Sequence, residues 1–235
     1  MIAFFRTLLF RVGLVIFTFA LIPMLLVAMV MTGMRRNGFL ALWSRFIVNW
    51  LTFSCGVSYA VEGADNITSD NAIILSKHQS SWETSGLQVI FPPQTWVLKR
   101  ELLKIPIFGW ALQAAGAIAI DRDAGKAALM QVISEGKDRL GKGYWVVVFP
   151  EGTRTAPGSR GKYNAGGAML AARSGYPVVP VAHNAGSYWG RGFMIRPGTI
   201  RVVVGEPIAT ADRKAGEINA EVEEWIEARM AEMSA

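Results

Sequence analysis

One cysteine, Cys55, leaves the chain without any internal disulfide, which suits a reducing, cytosol-facing compartment. Two histidines and that one thiol are too few and too scattered for a Cys/His metal centre, so no metal is expected. Acidic residues are missing altogether before Glu62, and the charges in that stretch are five arginines: Arg6, Arg11, Arg35, Arg36 and Arg45. Charge of either sign is missing from Val12 to Met34. Internal repeats, low-complexity tracts and long linkers are also absent. The 235 residues therefore fit one substantial domain with an N-terminal appendage.

The uncharged run of 23 residues is long enough to cross a bilayer core, which takes roughly 20 apolar residues. It exceeds the h-region of a signal peptide, no small-x-small cleavage site ends it, and Arg35-Arg36 follows at once. These features predict a retained membrane anchor. Pro23 and basic residues on both flanks leave open whether it spans or re-enters. The net charge of +6 does not point to nucleic acid, because it is not spread as a binding stripe. Arginines flank the apolar run, where anionic lipid headgroups would meet them, and the segment from Asp212 onward is acidic.

Beyond the anchor, Phe39, Leu42, Trp43, Phe46, Ile47 and Trp50 recur at three- and four-residue steps, with Ser44, Arg45, Asn49 and Thr52 opposite. This predicts an amphipathic helix over Asn37–Phe53, packed on the globular domain or lying in the lipid interface. From Gly56 the pattern alternates. Strands are predicted at Val57–Glu62, Ala72–Ser76, Thr95–Leu98, Ala117–Ile120, Tyr144–Phe149, Val178–Ala182 and Ile200–Val204, and helices include Ala124–Leu140 and Lys214–Met233. Continuous β-branched runs suit strands buried on both faces. The fold class expected is α/β, a mostly parallel sheet flanked by helices and preceded by a hydrophobic, membrane-associating helical segment. Residues 1–55 form that segment and residues 56–235 the α/β domain.

Polar residues just past the ends of buried strands mark where open α/β sheets place their ligands. His78 follows Ala72–Ser76, and Glu83 lies five residues on. Ser80 and Glu83 form an S-x-x-E capping box, so Glu83 either ties down a helix start or orients His78 as a base. Lys99-Arg100 follows the third strand, as a pair facing the rim or a solvated one. Phe149-Pro150-Glu151-Gly152-Thr153-Arg154 follows the most hydrophobic strand, with a turn glycine and donors suited to phosphate. His183 ends Val178–Ala182 with no carboxylate beside it in sequence, and reads as a structural or pocket-lining histidine.

In this order the segments resemble the glycerolipid acyltransferase family. Its His-x4-Asp block matches His78 with Glu83 at the acid, its basic block Lys99-Arg100-Glu101, its Pro-Glu-Gly-Thr-Arg block Pro150–Arg154, and its Val-Pro-Val block Val179–Val181. The resemblance runs from about Gly56 to Glu206. Two departures stand out: Glu83 is one methylene longer than aspartate, and Asn164-Ala165 stands where family members commonly carry lysine.

The resemblance implies transfer of a fatty acyl group from acyl-CoA or an acyl carrier protein thioester to the sn-2 hydroxyl of lysophosphatidate, with no further cofactor. His78 would be the base and Glu83 its orienting acid. Lys99, Arg100, Glu151, Gly152, Thr153 and Arg154 would bind the acceptor phosphate or shape its loop. Membrane lipids would be partners, and the enzyme would sit at the inner membrane with its catalytic domain on the cytoplasmic face. Another lysolipid or glycerol 3-phosphate as acceptor, or a non-catalytic anchored phospholipid-binding protein, are the alternatives. No G-x-S-x-G elbow supports a serine esterase.

Overall fold

Seven strands build a single sheet in the computed structural model, which describes residues 1–68 and 70–234. They are β1 (Val57–Glu62), β2 (Ile73–Ser76), β3 (Gln94–Lys99), β4 (Ile118–Ile120), β5 (Trp145–Val148), β6 (Val178–His183) and β7 (Gly198–Val204). Their order is β1-β7-β6-β2-β5-β3-β4. Neighbours run parallel except β6 and β7, so all seven strands expected from the sequence form and the sheet is mostly parallel.

Among the described residues seven α-helices cover the sheet: α1 (Ile2–Met29), α2 (Gly33–Cys55), α3 (Trp82–Ile90), α4 (Phe108–Ala114), α5 (Lys126–Gly141), α6 (Gly166–Ser174) and α7 (Ala215–Ser234). Alternation along each strand sends its side chains to opposite layers. Ile74, Val147, Val179 and Val181 face one core, shared with Phe10, Leu40, Ile47 and Leu51 of the first two helices and with Trp82. Ile73, Leu75, Val146 and Val148 face the other, with Val132, Leu170, Ile218 and Val222 of α5, α6 and α7. The first four helices thus lie on one side and the last three on the other.

The uncharged run is not one helix: α1 stops at Met29, residues 30–32 turn, and Met34 already belongs to α2. Among the described residues one helix, Ile2–Met29, is long and apolar enough to cross a membrane by length and composition. It pairs antiparallel with α2. Phe17 meets Phe46 and Trp50, Trp43 and Trp50 donate to Phe17 O and Phe10 O, and Arg6 Nε donates to Ser54 O. At Gly13 the helices come so close that a Cβ would stand 2.2 Å from Trp50 Nε1. The aromatic stripe of α2 consequently faces α1, with Leu42 and Phe46 exposed. The domain-facing stripe is Leu40, Ser44, Ile47, Val48 and Leu51. Ser44, expected on the polar side, is buried because its hydroxyl donates to Gln88 Oε1 at 2.6 Å.

The first half of α1 rests on the α/β domain, and its second half packs on α4. Phe10 packs edge-on against Trp189, and Thr7 Oγ1 accepts Ile195 N at 3.1 Å. Arg11 donates to Phe193 O at 2.7 Å and covers the Phe193 ring. Beyond the turn, Asn37 Nδ2 donates to Gln94 O and Ala115 O. The outward face, which includes Phe5, Leu9, Val12, Ile16, Phe19 and Leu26, is left exposed.

Candidate active site

The parallel strands end on one rim, so the loops after β2, β3, β4, β5 and β6 converge there. Lys77 and His78 follow β2, Lys99 closes β3, Arg122 follows β4, Phe149–Arg154 follow β5 and His183 closes β6.

His78 is the centre of this convergence. Its Nδ1 lies 2.5 Å from Glu83 Oε2, and its ring stacks on Phe149 with centroids 4.1 Å apart. Glu83 sits in the first turn of α3 with its side chain fully buried, and its Oε1 accepts the N–H groups of Gln79, at 2.6 Å, and Ser80. Only half of the expected capping box forms. Glu83 reaches back to Ser80 N, but Ser80 Oγ accepts from Trp82 N at 3.0 Å and donates to Trp189 O at 2.6 Å. With Nδ1 committed to Glu83, Nε2 of His78 has no protein partner among the described residues and is free to take a proton from a bound hydroxyl.

Glu151 is placed elsewhere than a substrate contact would require. Its side chain is wholly buried, with Oε1 2.6 Å from Lys77 Nζ and 3.1 Å from Thr155 Oγ1, and with Oε2 accepting His78 N at 2.8 Å. Lys77 is itself buried and also reaches Glu227 of α7 at 2.8 Å. Tyr163 donates to the same Glu227 oxygen at 2.9 Å, and burial, followed by the Glu227 charge, drives its phenol far above the usual range. Glu151 therefore holds the loop that carries His78. Thr155 does the same from the other side, donating N–H to His78 O at 2.8 Å.

An open cleft lies against His78. Its mouth holds Lys99, Arg122 and Arg154; its walls are mainly apolar, with Leu40 and Trp43 of α2, Leu102, Phe108 and Leu112. Of the residues expected at the phosphate, Arg154 and Lys99 line this cleft, Lys99 also pairing with Glu101 at 3.1 Å. Arg100 is exposed and Thr153 is exposed, and neither lines it. Gly152 lies on an adjoining chamber, where its φ of 67° gives the loop its left-handed turn. Sequence reasoning missed Lys77, Thr155 and Arg122. Arg122 had the same signal as the others, a basic residue just past a strand end. Among the described residues no group of three or more His, Cys, Asp or Glu gathers as a cation site.

His183 is fully buried behind Glu83, away from the cleft. Its Nε2 lies 2.9 Å from Lys77 O and 3.5 Å from Glu83 Oε1, and burial pushes its pKa down against the pull of Glu83.

The model of a family described as Acyltransferase matches residues 58–184, which hold His78, Glu83, Lys99, Arg122, Glu151, Arg154 and His183. A 1-acyl-sn-glycerol-3-phosphate acyltransferase of Pseudomonas aeruginosa is 48% identical over 197 residues, covering 82% of this chain and 76% of that protein. The human 1-acyl-sn-glycerol-3-phosphate acyltransferase alpha is 32% identical over 139 residues, covering 58% of this chain and 49% of that protein. In fold, the chain is similar to the 1-acyl-sn-glycerophosphate acyltransferase PlsC from Thermotoga maritima, with a TM-score of 0.81 at 24% identity, covering 98% and 95% of the two chains.

Proposed function

The chain belongs to the acyltransferase family, and from that membership we propose that it transfers a fatty acyl group to the sn-2 hydroxyl of 1-acyl-sn-glycerol 3-phosphate, giving phosphatidic acid for phospholipid synthesis. The observation that carries the reading is His78, oriented by Glu83 at 2.5 Å, at the mouth of an apolar cleft rimmed by Arg122 and Arg154. A base, a phosphate site and room for an acyl chain are the three things this reaction needs.

In the proposed mechanism His78 Nε2 takes the proton of the acceptor hydroxyl as its oxygen attacks the thioester carbonyl. The C–O bond forms, the C–S bond breaks, and the imidazolium returns its proton to the departing thiolate. Glu83 fixes the tautomer and stabilises the imidazolium. Such a base typically contributes 10²–10⁴-fold, and holding both substrates adds more. Arg154, Arg122 and Lys99 would take the acceptor phosphate, and the apolar walls an acyl chain. The thioester donor is acyl-CoA or an acyl carrier protein, so the reaction calls for no metal or bound cofactor.

Residues 1–55 are proposed as the membrane element and 56–235 as the catalytic domain. Because α1 rests on the domain through Thr7 and Arg11 near its start and packs on α4 through its second half, the helix is read as lying in one leaflet with its apolar face toward lipid. Water-soluble thioester donors favour the cytoplasmic face of the cell membrane.

The test is an acylation assay with purified protein in detergent. It offers lysophosphatidate, glycerol 3-phosphate and neutral lysolipids with acyl-CoA or acyl carrier protein donors. Lysophosphatidate should be the preferred acceptor, and His78→Ala should abolish turnover while keeping phospholipid binding. If no acceptor is acylated, or His78→Ala works as fast as the parent, the proposal is wrong.

A further inference from the structure

His183 is one of only two histidines in the chain, and it lies against the other one's support. Ala185 N donates to its Nδ1 at 3.3 Å, which leaves the ring proton on Nε2. That Nε2–H donates to Lys77 O at 2.9 Å and stands 3.5 Å from Glu83 Oε1. The peptide unit joining Lys77 to His78 is thereby held at both ends: its carbonyl by His183, with a second bond from Ser76 Oγ at 3.1 Å, and its N–H by Glu151 at 2.8 Å.

We propose that His183 is a positioning residue for the His78–Glu83 pair, fixing the peptide that carries His78 while its Nε2–H faces the carboxylate oxygen His78 leaves free. The inference rests on the reading of His78 as the base. Two features of the surroundings support it. Charge reaches His183 from Glu83 on α3, from His78 and from Glu151, yet burial outweighs the two carboxylates and keeps the ring neutral, so the proton on Nε2 keeps a single direction. Trp82 of the same helix as Glu83 packs edge-on to the ring at 6.2 Å, which limits its rotation. A base has little tolerance for displacement, since about 1 Å of misplacement can cost roughly 10²-fold in rate.

Side-chain reach supplies the test. Glutamine sets its amide nitrogen close to where Nε2 stands, whereas asparagine stops near the position of Nδ1 and falls short of Lys77 O. Nitrogen labelling of histidine alone reports the two imidazoles separately. His183→Gln should keep kcat within about threefold of the parent, whereas His183→Asn should lose roughly tenfold to a hundredfold in kcat with KM for lysophosphatidate within about twofold. In His183→Asn the hydrogen-bonded Nδ1–H resonance of His78 should move upfield, and in His183→Gln it should stay. Equal kcat in the two variants, or an unmoved His78 resonance in His183→Asn, overturns the proposal. So does a fall in thermal stability with kcat unchanged. Should the parent acylate no acceptor, the functional reading fails, and the His78 resonance still decides the role of His183.

Discussion

Glu83 follows His78 by five residues, yet its Oε2 lies 2.5 Å from His78 Nδ1. On one regular helix the two positions would point about 140° apart. They meet because His78 lies in the loop after β2 and Glu83 in the first turn of α3, and because Oε1 is tied to Gln79 N and Ser80 N. Capping the helix entry and orienting the imidazole are therefore two ends of one carboxylate.

That double use predicts the behaviour of Glu83→Gln. The amide keeps the size of the side chain but can offer only one acceptor oxygen, so either the loop N–H groups or His78 lose their partner. Initial-rate kinetics on lysophosphatidate should give a kcat lower by about 10²–10⁴-fold, the range of general-base catalysis, with KM close to the parent. A kcat within a few-fold of the parent would leave Glu83 as a helix cap alone.

The basic residues should separate into two groups. Arg122 and Arg154 line the cleft, whereas Arg100 is exposed outside it. A hydrogen bond to a charged group is worth about 1.5–3 kcal/mol. Arg122→Ala and Arg154→Ala should each raise KM for lysophosphatidate by at least about tenfold, and Arg100→Ala should stay within about twofold. Repeating the assay with an uncharged monoacylglycerol should erase the difference. If Arg100→Ala is as harmful as the other two, the assignment of the phosphate to the cleft mouth is wrong.

Lys77 should matter through stability. Its ammonium is buried between Glu151 at 2.6 Å and Glu227 at 2.8 Å. Lys77→Met leaves Glu151 buried without a cation, which costs about 3–5 kcal/mol. Lys77→Met with Glu151→Gln removes the stranded charge and should recover part of that loss. Thermal unfolding in detergent measures both. A double variant less stable than the single would mean that the ion pair is not what holds this loop.

How much of this was legible in the sequence follows from the range of the interactions. The strands announced themselves through β-branched runs, and the strand-end rule then brought His78, Lys99, Arg154 and His183 to one rim. The same rule covered Arg122, whose motif simply carried no expectation. Glu151 was read as binding the phosphate or shaping its loop, and nothing local tells a loop carboxylate at the surface from one paired inward with a lysine 74 positions earlier. The helical stripe of α2 misled for a similar reason. Its aromatic face meets α1 and its Ser44 face meets Gln88, so two partners compete for one helix and periodicity identifies neither.

Gly152 tests the backbone of the Pro150–Arg154 loop. With φ at 67° and a notional Cβ 3.2 Å from Asn164 Nδ2, it tolerates a side chain poorly. A non-glycine residue in that conformation costs about 1–2 kcal/mol. Gly152→Ala should lower the unfolding midpoint and raise KM for lysophosphatidate more than it lowers kcat, because Arg154 moves with the turn while His78 is held by Glu151 and Thr155. A kcat effect without a KM effect would place the loop's role at the base instead.

His183 should make the fold acid-sensitive. Burial lowers its pKa from the ordinary 6.5, and the opposing pull of Glu83 and of the Lys77 carbonyl does not restore it. The unfolded chain therefore binds a proton at this side chain that the native ring refuses. Stability from this source is complete above pH 6.5 and is lost as pH falls below that value toward the native pKa, since stability rises with pH wherever the unfolded state holds more protons. Glutamine cannot titrate, so the unfolding midpoint of His183→Gln should fall less steeply than the parent's between about pH 6.5 and 5. Parallel slopes would mean that the native ring accepts the proton where it stands. Its Nδ1 would then donate where it now accepts from Ala185, and the single-direction Nε2–H that holds the His78 peptide would no longer be defined.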